Sequence, residues 1–161
     1  MGSRVEATKG DVLRSVVQRV SSAKVVVGSE VVAEMDTGLL ALVGVARGDE
    51  PSDAEALASK LAHLRVFPDA SARMNRSLLD TGGTLALVSQ FTLLGDTRKG
   101  RRPSYADAAA PEVARRLFQR VAEAASGFGV RVVTGRFAAD MQISLVNDGP
   151  VTLWVDTRSE Y

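Results

Sequence analysis

Apolar residues along this chain fall into short runs separated by turn-forming residues, with two longer stretches of helical period. Leu13 to Val20 reads as a first strand. Ala23–Val27 and Val31–Met35 flank Gly28-Ser29-Glu30, a hairpin signal. Leu39–Val45 is almost continuously apolar, as expected of a strand covered on both faces. Ser52 and Glu55 then form a Ser-x-x-Glu capping pattern, and Leu57, Leu61 and Leu64 repeat at helical spacing behind it. Thr84–Phe91 predicts another strand. Pro111 suits the first turn of a second helix, in which Val113, Leu117 and Val121 lie four apart and Gly127 or Gly129 provides the stop. Val130–Thr134, Gln142–Val146 and Val151–Val155 complete the strands, the last two separated by the turn-forming Asn147-Asp148-Gly149-Pro150. The pattern predicts an α/β fold: a single compact domain with a largely β core and two main helices over residues 12–161. Residues 1–11, polar and without period, read as a flexible N-terminal extension.

Composition narrows the chemistry. With 161 residues, 45% hydrophobic and 24% charged, the chain is long enough for one well-filled core. Aromatic residues are scarce, so Val, Leu and Ala must fill it. There is no cysteine and only one histidine, His63. A disulfide scaffold, a thiolate zinc site, a cysteine nucleophile and a multi-histidine metal cluster are all excluded, and no metal or cofactor is expected. The N-terminus lacks the pattern of a signal peptide, and no uncharged stretch approaches the roughly 20 apolar residues of a membrane span. The expectation is a soluble, cytoplasmic protein with no membrane partner. A formal net charge of +1 argues against extensive duplex binding, so no DNA partner is expected, while recognition of one small part of an RNA is compatible with it.

The usual catalytic constellations fail. No Gly-x-Ser-x-Gly elbow is present, and His63 sits in the first helical pattern beside Leu61 and Leu64, as a structural or solvent-facing residue would. The Gly-containing segments 44–48 and 81–83 match no dinucleotide or phosphate fingerprint and read as turns. Ser89-Gln90-Phe91-Thr92-Leu93 is more unusual, because polar residues interrupt an apolar run at a strand end. On an extended chain Gln90 and Thr92 would share one face about 6.6 Å apart, where amide and hydroxyl could serve one small ligand. Polar residues satisfying a sheet edge would look the same. Arg98, Lys99, Arg101 and Arg102 put four cations into five residues. Such a run is either a solvated loop or a clamp for phosphate oxygens.

Together and in this order, these segments resemble the D-aminoacyl-tRNA deacylase family. The likeness runs through Leu13-Arg14-Ser15-Val16-Val17-Gln18-Arg19-Val20, Met74-Asn75-Arg76-Ser77, Ser89-Gln90-Phe91-Thr92-Leu93, Asp96 to Ser104, and Met141-Gln142-Ile143-Ser144-Leu145-Val146-Asn147-Asp148-Gly149-Pro150-Val151-Thr152. It implies a homodimer with active sites at the subunit interface. The substrate would be a tRNA 3′ end carrying a D-amino acid or glycine. Ser89, Gln90, Phe91 and Thr92 would form the catalytic segment. Gly149 and Pro150, joined by a cis bond and oriented by Arg19, would reach the partner's pocket and set chirality. The terminal adenosine would sit near Phe91 and Met141. Leu94-Gly95 departs from the aromatic residue common in relatives, and the first dozen residues have no counterpart.

The resemblance leaves two mechanisms. Either Thr92 acts through its hydroxyl, or the ribose 2′-hydroxyl of the tRNA assists attack while main-chain N–H groups hold the oxyanion. The second is preferred, since no side chain is placed to activate Thr92. Two rival functions remain: a sister deacylase accepting L-alanine, with a trans Gly-Pro bond, and a non-catalytic RNA-end binder.

Overall fold

The computed structural model describes residues 13–157. The reading of residues 1–11 as an extension lies outside them. The order of elements is β1 (Arg14–Val27), β2 (Glu30–Met35), β3 (Gly38–Gly44), α1 (Pro51–His63), β4 (Phe67–Pro68), β5 (Met74–Arg76), α2 (Leu78–Thr81) and β6 (Thr84–Ser89). A 3-10 turn (Phe91–Leu94), α3 (Pro111–Gly127), β7 (Arg131–Thr134) and β8 (Gln142–Asp156) complete it.

β1 organises the sheet. Its Arg14–Val20 half pairs antiparallel with β3, its Ala23–Val27 half pairs with β2, and β8 follows it from Arg14 to Val26. β1 is therefore paired on both edges. β3 continues the sheet to β6 and β7 through parallel pairings. Side chains alternate across a strand, and in β3 both sets find cover. Leu39, Ala41 and Val43 join Leu85 and Leu87 beneath Leu57 and Leu61 of α1 and Leu117, Phe118 and Val121 of α3. Leu40 points the other way, with Val20, Ala23, Met35 and Ala86, where Ile143 and Leu145 of β8 close over them. The near-continuous apolar run is thus a strand buried on both faces, as its sequence predicts.

Several expectations are corrected. The two strands read at Leu13–Val20 and Ala23–Val27 are one 14-residue strand. Exposed Ser21 and Ser22 look like a break in sequence but lie where the β8 register shifts. The turn expected at Asn147-Asp148-Gly149-Pro150 is an irregularity inside one 15-residue strand, β8, rather than a chain reversal. Asn147 Oδ1 there accepts the Val151 N–H at 2.9 Å, which carries the strand across the irregular stretch.

The α1 cap is Glu50, whose reciprocal partner is Asp53, not Ser52 with Glu55. Pro51 explains the shift. It has no N–H to lose and a fixed φ suited to the first helical position, so the cap falls one residue before it. The strand read as Thr84–Phe91 stops at Ser89. A short helix, α2, was not expected; Ser77 and Asp80 cap it reciprocally, and Gly82 closes it in the left-handed region.

Candidate active site

The distinctive polar segment sits where β6 ends. The Gln90 N–H donates to the Val43 carbonyl at 2.7 Å, which ties the end of β6 to β3. The chain then tightens into the Phe91–Leu94 turn because Leu94 plunges into the core, only 1% exposed. Gly44 makes this close approach possible: a Cβ there would lie 2.7 Å from Leu94 Cδ2 and 3.0 Å from the Gln90 oxygen. From β1, Arg14 Nη1 reaches the Leu93 carbonyl at 3.4 Å. The extended spacing expected between Gln90 and Thr92 is therefore replaced by a turn. The turn still brings them together, and Gln90 Nε2 donates to Thr92 Oγ1.

Ser89 and Phe91 border a cavity of about 320 Å³, lined also by Val43, Val45, Pro111, Phe118 and Phe137. No acid or base among the described residues lines it. Phe91 is 58% exposed, and its ring meets Tyr105 edge-on, with centroids 5.0 Å apart. Tyr105, which meets Phe91, and Pro111 and Phe137, which line the cavity, are neighbours of the candidate site that sequence reasoning missed. They come from a loop, a helix start and an irregular segment, where no periodicity marks a binding role. Met141 is not among the residues lining this cavity. It packs with Val25 and Val88 against Gly135, where an added Cβ would meet its sulfur at 2.8 Å.

The second segment lies elsewhere. Arg19 donates from Nη1 to the Val66 carbonyl at 2.6 Å and from Nε to the Asp148 carbonyl at 3.1 Å, with the Asp148 carboxylate at 3.5 Å. It fastens the Gly149 corner to the connection that follows α1. The Gly149–Pro150 bond is cis, as the resemblance implies, and Gly149 has φ +133°. Gly149 and Pro150 are exposed. In β1, Arg19 is paired with Leu39, whereas Ser15 is paired with Val43, the residue that anchors Gln90. Four residues of strand span about 13 Å, so within one protomer the corner and the Ser89–Leu93 segment stand level with opposite ends of β3.

The basic loop leaves the turn directly. Asp96 and Ser104 exchange backbone hydrogen bonds at 2.8 Å, which closes the loop at its base. The Arg98 side chain, followed by its backbone N–H, holds the Asp96 carboxyl well below the usual carboxylate range. Arg98 is thus engaged, at 2.6 Å from Asp96, while Lys99, Arg101 and Arg102 are exposed. His63 is exposed as well. Its Nδ1 meets the Ser59 carbonyl at 2.7 Å and its ring packs edge-on against Phe128, a structural role remote from the cavity.

Comparison with known proteins adds an independent line. The family model described as D-Tyr-tRNA(Tyr) deacylase matches residues 16–156. A protein named D-aminoacyl-tRNA deacylase from Desulfitobacterium hafniense (strain DSM 10664 / DCB-2) is 52% identical over 149 residues, covering 92% of this chain and 100% of the relative. One of the same name from Thermosipho africanus (strain TCF52B) is 48% identical with the same coverage. Among solved structures, one named c-Myc DNA Unwinding Element Binding Protein superposes with a TM-score of 0.82 at 34% identity, over 88% of this chain and 97% of that one. Another, described as a probable eukaryotic D-amino acid tRNA deacylase, shares the fold with a TM-score of 0.78 at 18% identity, over 90% and 99%.

Proposed function

The chain belongs to the D-Tyr-tRNA(Tyr) deacylase family, and from that premise we propose a chiral proofreading hydrolase that discards wrongly attached D-amino acids, and glycine, from tRNA. The reaction is deacylation of D-aminoacyl-tRNA: water adds to the ester carbonyl, the bond to the ribose oxygen breaks, and free amino acid and tRNA leave.

One observation supports the mechanism most directly: among the described residues, no titratable side chain lines the cavity beside Ser89 and Phe91. Thr92 Oγ1 accepts a hydrogen bond from Gln90, and an amide donor is no base for activating a hydroxyl. An aminoacyl ester needs little activation. What it needs is a fixed pose and a stabilised oxyanion. The first N–H groups of the Phe91–Leu94 turn, those of Phe91 and Thr92, have no acceptor within the turn, and they are our candidates for the oxyanion donors. The ribose 2′-hydroxyl then assists attack. The apolar cavity is the proposed seat of the terminal adenosine, beside Phe91 and away from Met141. Arg101 and Arg102, with Lys99, meet the tRNA phosphates.

Chirality requires the second segment. The Gly149–Pro150 corner stands level with the start of β3, whereas the turn follows on from its end, and this separation supports a second copy of the chain bringing the corner to the cavity. The proposed unit is a homodimer in which Arg19 holds the partner-facing corner in place. Its main chain accepts the substrate ammonium and leaves no room for an L side chain, whereas glycine passes. Hydrolysis of matched D- and L-aminoacyl-tRNA tests this reading; equal rates on both would refute it.

A further inference from the structure

Besides Arg14, Arg19 and Lys24 along β1, two segments concentrate positive charge. One is the loop from Asp96 to Arg102. The other runs from the last turn of α1 through the β4–β5 hairpin, where Lys60, Arg65, Arg73 and Arg76 face a single carboxylate in the same stretch, Asp69. In a chain of net charge +1, that concentration calls for a physical reason. Stabilising the C-terminal dipole of α1 accounts for Lys60. It does not account for Arg73 and Arg76, which lie beyond the helix.

The fold anchors two of these cations. Arg65 Nε donates to the Asn75 carbonyl at 3.1 Å, and Arg76 Nη2 to the Asp80 carbonyl at 2.8 Å, so both guanidinium groups are fixed against the hairpin and α2. The Asp80 carboxyl, held low chiefly by Ser77, also feels Arg76 and Arg65. All four cations are exposed, and none forms an ion pair among the described residues. The two neighbouring carboxylates turn towards backbone: Asp69 accepts the Ser71 and Arg73 N–H groups at 2.8 and 3.0 Å, and Asp80 accepts the Ser77 N–H at 2.9 Å. Four outward cations therefore outnumber two inward-turned carboxylates.

Their position matters more than their number. The Val66 carbonyl, one residue after Arg65, accepts the same Arg19 guanidinium that holds Asp148. The hairpin stem and the Gly149 corner are thus fastened to one side chain. We propose that Lys60, Arg65, Arg73 and Arg76 form a second phosphate-binding surface, and that it grips the tRNA whose 3′ end occupies the partner subunit's pocket. The inference rests on the dimeric deacylase reading, in which the corner enters that pocket and carries the hairpin beside it. Fixed guanidinium forks suit phosphate oxygens, and a tRNA held by its end must pass its neighbouring phosphates across whatever flanks the pocket mouth.

The test uses Lys60→Gln/Arg73→Gln, whose side chains form no ion pair among the described residues, with Arg65→Gln as an added step. Direct binding of uncharged tRNA should weaken about tenfold near 0.1 M salt, and the slope of log K against log salt should fall by about 2. Hydrolysis of D-aminoacyl-adenosine, which lacks those phosphates, should be unchanged. In mixed dimers, a Lys60→Gln/Arg73→Gln protomer paired with a Gly44→Ala protomer should keep normal tRNA affinity at its intact site, because the wild-type hairpin comes from the other subunit. Unchanged tRNA binding in the double variant would overturn the proposal, as would an equal loss on the minimal ester. Dissociation of the variant dimer would instead make the hairpin a subunit contact, and loss of affinity in the mixed dimer would refute the crossing between subunits. A wild-type protein that hydrolyses neither ester would sink the deacylase reading alone, since the binding measurement still judges the surface.

Discussion

Replacing Gly44 by alanine puts a methyl group where β3 meets the Phe91–Leu94 turn. That carbon would lie 2.7 Å from Leu94 Cδ2, 3.0 Å from the Gln90 oxygen and 3.0 Å from Leu93 Cβ. Favourable carbon contacts lie at about 3.5–4.0 Å. Leu94 is buried, and the other two atoms belong to the turn itself or anchor it. The turn must therefore lift by roughly 0.5 Å or more. Overpacking of this kind costs about 1–3 kcal/mol, and each kcal/mol lowers Tm by about 2–4 °C for a chain of this size. A 1 Å error in positioning costs on the order of 100-fold in rate, so kcat/KM should fall by about ten- to 100-fold. The control is Gly82→Ala. Gly82 has φ +70° and nothing within 4 Å of an added Cβ, so it incurs left-handed strain of about 1–2 kcal/mol without touching the turn. Both variants are assayed on D-aminoacyl-adenosine well below their melting temperatures, so that neither unfolding nor RNA docking enters. Matched losses of Tm with kcat/KM falling only in Gly44→Ala is the expected result. If Gly44→Ala retains wild-type kcat/KM, or Gly82→Ala loses as much, the turn is not positioned by this contact.

Four further outcomes are expected. Thr92→Ala should keep most of its activity, whereas tRNA ending in 2′-deoxyadenosine, with its 3′-ester verified, should be hydrolysed poorly; near-total loss in a well-folded, substrate-binding Thr92→Ala would make the hydroxyl the catalyst. Arg19→Lys can reach the Val66 or the Asp148 carbonyl but not both, so thermal unfolding should show a loss of about 1–3 kcal/mol, together with faster hydrolysis of L-substrates; unchanged selectivity would remove Arg19 from chiral control. The Asp96 carboxyl is lowered by Arg98, so its contribution to the loop is fully present above the ordinary value of 3.8 and is lost only as pH falls further. An NMR titration should leave its signal flat from pH 7 to 4, and a midpoint at or above the ordinary value would contradict the pairing. Sedimentation at micromolar concentration should show a species of about twice the 17.1 kDa chain, and an active monomer would exclude a site built from two copies.

Much of the fold was legible because local signals and tertiary demands agree. The Gly28-Ser29 reversal, the proline at the start of α3 and the doubly buried β3 each follow from residue type and period. Reading failed where a local signal competes with long-range pairing. Ser21-Ser22 and Asn147-Asp148-Gly149-Pro150 look like breaks, but β1 and β8 hold one another through them, which no local window can register. The Ser89–Thr92 segment was visible as an oddity, yet its conformation was not. An extended reading ignores the pull of buried Leu94 and the space above Gly44, and those two effects turn the chain. Tyr105 was invisible for a related reason, since its contact with Phe91 depends on where the basic loop returns.

The pairing of β1 with β8 has a temporal consequence. Arg14 lies opposite Asp156, and the Thr157 N–H donates to the Leu13 carbonyl at 3.3 Å. The first described strand to leave the ribosome thus finds one of its neighbours only when the last has been made. At roughly 5–20 residues per second, that wait is on the order of ten seconds. Throughout it, one edge of a Val-rich strand stands open to any nascent chain able to pair with it. Arg19 likewise waits, because the Asp148 carbonyl it must hold arrives with that same final strand. A chain cut short before β8 would lack both the cover that Ile143 and Leu145 give the second core cluster and the segment to which we assign the rejection of correctly charged tRNA. Synthesis order therefore ties selectivity to the same strand that closes the open edge of β1.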